Sequence, residues 1–258
     1  MTTPSATYLY CVVKSEAPPK LGRGLARLPS AGPLRALDAA DGYHVVVGTV
    51  PLSVYSSEAI EAKLRDIDWV GAIASAHEGV VERVGASGTV VPMKLFTIFS
   101  SDARAIAHVK KMRKTLDRVV RKIGGCDEWG LRVLFDEARA LAAKTKKSAA
   151  AKPVSGTGFL LRKKAQDETR RLLTSEAKEE VDDLFDRLSK TSRGALRRPP
   201  PNRELAGRVV LDAVFLVPQK GTRRFKSTVA STAKELARDG YHVTLTGPWP
   251  AYSFVGGS

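Results

Sequence analysis

The chain has 258 residues, 43% of them hydrophobic, and a formal net charge of +15. That size and composition describe a globular protein of one large domain or two small ones. Two cysteines, Cys11 and Cys126, exclude a disulfide framework and a cysteine-based metal cluster, and no apolar run reaches the about 20 residues of a membrane span.

In chain order, Met1–Ser5 lacks a basic region and an apolar core, so no secretory signal is expected and the setting is expected to be cytosolic. Residues 7–14 (Tyr-Leu-Tyr-Cys-Val-Val and neighbours) read as a buried strand in which Cys11 acts as a small apolar side chain. A Gly/Pro/Ala-rich loop is expected from Ala17 to about Leu37, then a β-branched strand over residues 43–50. Ser56 or Ser57 can cap a short helix to about Arg65, because a serine hydroxyl accepts a free backbone N–H. A second helix runs from about Trp69 to Val84, with Ile73, His77, Val80, Val81 and Val84 near helical spacing. Thr89 to Phe99 reads as extended, with Pro92 marking a turn or an edge. Ser101-Asp102 caps a helix to about Ile123 whose apolar stripe includes Ile106, Val109, Leu116 and Val120, and Gly124-Gly125 ends it. Glu128 to Phe135 is the next strand.

The composition then shifts. Ala138 to Val154 is rich in alanine and lysine and reads as a linker, partly helical from alanine propensity. A long amphipathic helix is expected from Phe159 to about Ser189, with a kink near Thr174-Ser175-Glu176. A basic, proline-rich loop spans Arg193 to Asn202, a strand spans residues 209–217, and a helix spans Thr222 to Ala237. Tyr241 to Leu245 is the last strand, which Gly247-Pro248 should break. The resulting fold is α+β in two small domains. Residues 1–138 form a ferredoxin-like sandwich with an inserted helix, 139–156 the linker, and 157–258 an α+β domain with a long helix and an aromatic tail.

The positive charge lies mostly where no partner is required. Lys144, Lys146, Lys147 and Lys152 are in the linker, Arg193, Arg197, Arg198 and Arg203 flank three prolines, and seven Lys or Arg between Lys110 and Lys122 follow one helix. These runs contain almost no aromatics, which weakens a nucleic-acid-binding reading but keeps it as the alternative.

Candidate chemistry is sparse. Gly156-x-Gly158 opens a helix but lacks the preceding strand, third glycine and acidic partner of a dinucleotide site, so it reads as helix entry. His44, His77, His108 and His242 are scattered, without metal-ligand spacing or a nearby nucleophile. His77-Glu78 with Glu82 places polar groups one turn apart, either as an acid/base or metal pair or as a helix-capping or salt-bridging group. No catalytic residue, metal or cofactor is expected.

The most distinctive segment is Thr246-Gly247-Pro248-Trp249-Pro250-Ala251-Tyr252-Ser253-Phe254-Val255, two prolines among three large aromatics. It is either a packed lid or an aromatic docking surface. Fixed between prolines, Trp249 is expected to point inward, whereas Phe254, past the last fixed turn, is the better docking candidate.

This ending resembles the C-terminal signature of the GvpF/GvpL gas vesicle family. Other segments are similar to that family in order: Tyr8-Leu9-Tyr10-Cys11-Val12-Val13, His77-Glu78 to Val84 with Val90 to Ser101, Glu128-Trp129-Gly130-Leu131-Arg132-Val133, Gly156 to Lys164, and Leu211 to Pro218. Cys11 and Lys94-Leu95 depart from the Gly and Arg-Phe of the pattern, and the basic stretches near Lys144 and Arg197 are unusual for it. The resemblance implies a non-enzymatic assembly or minor structural protein of the gas vesicle, in the cytoplasm, contacting the small hydrophobic shell protein and other accessory proteins. The residues expected to meet such partners are Trp249, Tyr252 and Phe254, then Phe159 and Leu160.

Overall fold

The computed structural model describes residues 4–22, 24, 27–148, 156–199 and 207–256, with side chains described except at 143–148, 156–163, 165–167, 170, 171 and 174. The chain forms two compact units, Met1–Gly125 with Trp249–Ser258, and Cys126–Pro248.

The first unit is built on β1 (Ser5–Lys14), which pairs antiparallel with β3 (Tyr43–Pro51) on one side. On the other side it pairs with β4 (Thr89–Pro92) and β5 (Ile98–Phe99), while β2 (Leu34–Asp38) lies outside β3. The strand order is β2-β3-β1-β4. The ladder between β1 and β3 slips at Leu9/Cys11, leaving Tyr10 without a counterpart. Such a bulge breaks the two-residue alternation. Tyr10 and Cys11 therefore enter the same core as Tyr8 and Val13.

Two short helices follow, α1 (Leu52–Tyr55) and α2 (Ser57–Lys63), and then α3 (Ile67–Gly85). Ser56 caps α2 by accepting the Ala59 N–H, and Asp66 caps α3 by accepting the Trp69 N–H. The face of α3 that carries Ile73, His77, Val80, Val81 and Val84 is buried, as its spacing predicts. The single helix expected over 102–123 is two, α4 (Asp102–Lys111) and α5 (Arg113–Ile123), joined at Met112. No proline or glycine marks that break. Arg113 at the start of α5 grips the turn between β2 and β3, donating to the Ala39 and Ala40 carbonyls and to Asp41.

The second unit contains β6 (Cys126–Phe135), α6 (Glu137–Ser148), α7 (Gly156–Ser189), β7 (Gly194–Arg197), β8 (Arg208–Pro218), α8 (Thr222–Leu236) and β9 (Tyr241–Trp249). Its strand order is β7-β8-β6-β9. This is the β-α-β-β-α-β connectivity of the ferredoxin-like class. The first unit repeats the strand order, but residues 15–33 replace the first crossover helix with a loop at its described positions. Leu173, Ala177, Val181, Leu184 and Leu188 of α7 close one face of the second sheet, packing on Leu131, Val133, Phe215 and Phe225. Burying each leucine, valine or phenylalanine side chain contributes about 1.5–3 kcal/mol.

The mixed α+β class is as expected, but the division of the chain differs from the expected 1–138, 139–156 and 157–258. The ladder between β6 and β8 runs from Cys126↔Pro218 to Phe135↔Arg208, so β6 cannot be separated from the second sheet. The alanine-lysine stretch lies between two elements of one unit. Its first part is helical in α6, and residues 149–155 lie outside the described residues. Two strands expected as loop, β2 and β7, contain no β-branched residue and form because a neighbouring strand offers an open edge. The helix α7 continues without interruption past Thr174-Ser175-Glu176, and Leu172 on it is 61% exposed. β9 continues past the expected break to Trp249, with a cis Gly247–Pro248 bond within it.

Candidate functional site

The aromatic tail belongs to the first unit, and its placement there reverses the expected roles of its rings. Phe254 is 2% exposed and Ala251 4%, whereas Trp249 is 39% exposed. Tyr252 is half-buried. The tail ends in one short helix, α9 (Tyr252–Val255), which packs against α5 and β4. Two tight backbone bonds shape it, Tyr252 N–H to the Pro250 carbonyl at 2.7 Å and Phe254 N–H to the Ala251 carbonyl at 3.1 Å. Lys122, the penultimate residue of α5, holds it from outside. Its Nζ donates to the Phe254 carbonyl at 3.5 Å and lies 5.4 Å from the centre of the Phe254 ring. A cation over a phenyl face is attracted by the ring quadrupole, by about 0.5–2 kcal/mol according to desolvation. The inward aim expected for Trp249 fails because the prolines fix the backbone at that point, not the direction in which the indole leaves it.

Beneath the tail lies a buried aromatic cluster. The Tyr252 ring is 6.4 Å from that of His77, and His77 is 5.7 Å from Tyr8 and 5.6 Å from Tyr10. The Tyr8 hydroxyl accepts the Phe96 N–H at 3.2 Å and lies 2.9 Å from Nδ1 of His77. A phenol oxygen has two lone pairs and one proton, so it can serve Nδ1 as donor or as acceptor while accepting the Phe96 N–H, and the tautomer of His77 sets which. Burial pushes the His77 imidazole down to about 4, with the Met93 backbone opposing it. The same burial pushes the Tyr8 and Tyr252 phenols up, and holds Tyr10 and Tyr55 at about 12. Around Tyr252 the shift is reinforced by the carboxylate of Glu78 and, more weakly, by Cys11 and Glu82.

His77, Glu78 and Glu82 do not converge. His77 faces the core, Glu78 is half-buried beside the tail, and Glu82 is exposed. Burial and the like charge of Glu82 hold the Glu78 carboxyl above its ordinary value. No group of three or more potential metal ligands occurs among the described residues. Cys11 is buried and its thiol is pushed far up by burial, the state of an inert core side chain. Phe159 and Leu160 lie in the first turns of α7, and their side chains are outside the described residues. Leu64 and Ile67, which sequence reasoning did not single out, stand 53% and 84% exposed at the turn between α2 and α3. Their only signal is Asp66, a cap that places Ile67 at the first helical position, before the buried face begins.

A two-unit α+β protein with a C-terminal aromatic tail packed on its N-terminal unit is the class this architecture defines. The whole chain superposes on the crystal structure of the gas vesicle protein GvpF from Anabaena sp. PCC7120 with a TM-score of 0.70 at 16% identity, covering 98% of this chain and 97% of that one. For GvpF from Microcystis aeruginosa the TM-score is 0.66 at 15% identity, covering 97% and 99%. Among curated proteins, gas vesicle protein L of Streptomyces sp. (strain CB03234) is 27% identical over 214 residues, 82% of this chain and 79% of the relative. Gas vesicle protein L2 of Halobacterium salinarum is 27% identical over 270 residues, 96% and 90% of the two chains. Residues 6–256 match the family model described as gas vesicle synthesis protein GvpL/GvpF, and the chain belongs to that family. Among the described residues no helix is long and apolar enough to cross a membrane.

Proposed function

We propose that this chain is a non-catalytic gas vesicle assembly or minor structural protein, acting in the cytoplasm and at the vesicle. It contacts the small hydrophobic shell protein and other accessory proteins. A shell subunit that faces gas carries a surface too apolar to be left in water, and a protein that covers it during assembly prevents misassociation. Membership of the GvpL/GvpF family supports this reading. The observation that carries the contact is Trp249, 39% exposed in a tail whose Phe254 is packed away. An indole held on a fixed backbone loses little conformational freedom on docking and brings a large apolar area, the profile of an interface anchor. Trp249 thus takes the docking role that the sequence suggested for Phe254, with Tyr252 beside it. Phe159 and Leu160 remain proposed secondary contacts.

The cations exposed along α4 and α5, such as Lys110, Lys111, Lys114 and Arg118, have no aromatics interleaved with them and serve as a solvated face. The test is capture of purified shell protein by wild type and by Trp249→Ala. The variant should stay folded, its melting temperature lowered by at most roughly 2–8 °C, and lose most of the capture. Undiminished capture by folded Trp249→Ala would refute the assignment.

A further inference from the structure

Each of the two sheets ends in strands with a hydrogen-bonded neighbour on one side, and an edge strand offers a row of backbone N–H and C=O groups to any second strand. Proteins defend such edges by keeping them short, charged, interrupted by proline or covered. The outer strands here are unequal in that respect. β2 has five residues and carries Arg35 and Asp38. β4 has four, ends at Pro92, and packs with α5 and α9. β7 has four, ending in Arg197 with Arg198 directly after it. β9 has nine residues, without a Lys, Arg, Asp or Glu among them. It is the last strand of its sheet, with β6 as its neighbour. Its proline, Pro248, lies near its end, so the six residues Tyr241–Thr246 all keep their N–H groups.

The side chains of that run alternate strictly. Tyr241, Val243 and Leu245 pack with the core of the second unit, while His242, Thr244 and Thr246 are exposed. An incoming strand would therefore extend a half-apolar, half-hydroxylated ladder, and one sequence that supplies such a ladder is β9 itself. In an antiparallel pairing about a two-fold axis at Thr244, Thr244 meets Thr244 of the second copy and His242 meets Thr246. On the core side Val243 meets Leu245. These central pairs match in kind, apolar with apolar and hydroxyl with hydroxyl or imidazole, while at the ends Tyr241 meets Gly247, which leaves room for the ring. We propose that β9 is a self-pairing edge, through which two copies of this chain join their second sheets into one continuous sheet.

The net charge of +15 on each copy opposes this association, so its salt dependence has a definite sign. Screening the repulsion tightens the dimer, whereas a contact made by the basic residues with an anion loosens as salt rises.

The experiment is sedimentation equilibrium of the full chain over a concentration series into the micromolar range, at low and high salt. Wild type should dimerise, more tightly at high salt. Thr244→Lys puts two ammonium groups opposite each other on the axis and should weaken the dimer roughly fivefold or more, as should Thr244→Glu with two carboxylates. An equimolar mixture of the two variants should recover association. Thr244 is exposed, so unchanged melting curves will show that both variants remain folded. A wild type that stays monomeric throughout overturns the proposal and leaves the edge to an extended segment of a different protein. Dimers that both variants form as tightly as wild type, or a mixture that does not recover, also overturn it.

Discussion

Truncating the two tail aromatics separates the lid from the exposed anchor. Phe254 is 2% exposed, so Phe254→Ala removes a phenyl ring from close packing against α5 and β4 and deprives the Lys122 ammonium of its aromatic face. Fully buried Phe→Ala changes cost about 3–5 kcal/mol, partly transfer and partly the cavity left behind. The site lies in a four-residue helix near the chain terminus, which can relax into the gap, so the lower end, about 3 kcal/mol, is expected. For a chain of this size each kcal/mol lowers the melting temperature by about 2–4 °C, giving roughly 6–12 °C in total. Trp249, at 39% exposure, already has much of its surface in water, and Trp249→Ala should cost no more than about 1–2 kcal/mol. Differential scanning fluorimetry of both variants beside wild type is the assay. The reasoning is refuted if Trp249→Ala melts as low as Phe254→Ala, or if Phe254→Ala melts with wild type.

Two further predictions concern buried charge. The His77 imidazole is lowered to about 4 from an ordinary 6.5, so the unfolded chain takes up its proton first as the pH falls. The associated stability is complete above the unfolded value and is lost as the pH drops toward the folded one, up to about 3 kcal/mol in all. Urea unfolding at pH 7 and pH 4.5 should therefore show a smaller difference for His77→Gln than for wild type, and an equal difference would count against the buried neutral imidazole. In the second unit, Asp212 is 3% exposed and lies between Arg132 and Arg198, each 2.6 Å away and each more than 40% exposed. Removing both arginines strands a buried carboxylate and should cost about 3–5 kcal/mol, while Asp212→Ala leaves two cations that can turn to water and should cost less. Denaturant midpoints of the two variants give the order directly, and the reverse order would contradict this account.

The sequence by itself determined the local elements whose signals are local. The buried stripe of α3, the serine caps at Ser56 and Ser101, and the runs that became β1, β3, β6 and β8 were legible because periodicity and capping depend on residues within a few positions of each other. The ordered segments ending in Thr246 to Val255 were enough to suggest the family. Tertiary structure decided the rest, wherever a residue's state depends on a partner distant in sequence. β2 and β7 exist because β3 and β8 offer them an edge. The domain division followed strand pairing across some 80 residues, between β6 and β8, and not the change in composition at Ala138. The bulge at Tyr10 turns two successive side chains into one core, which no alternation rule anticipates. In the tail, composition announced aromatics that want burial, but only the surface offered by α5, β4 and Lys122 selected Phe254 for it and left Trp249 outside. Apolar character is a property of a residue, whereas burial is a property of the surface it meets, and that surface is assembled from parts of the chain more than a hundred residues apart.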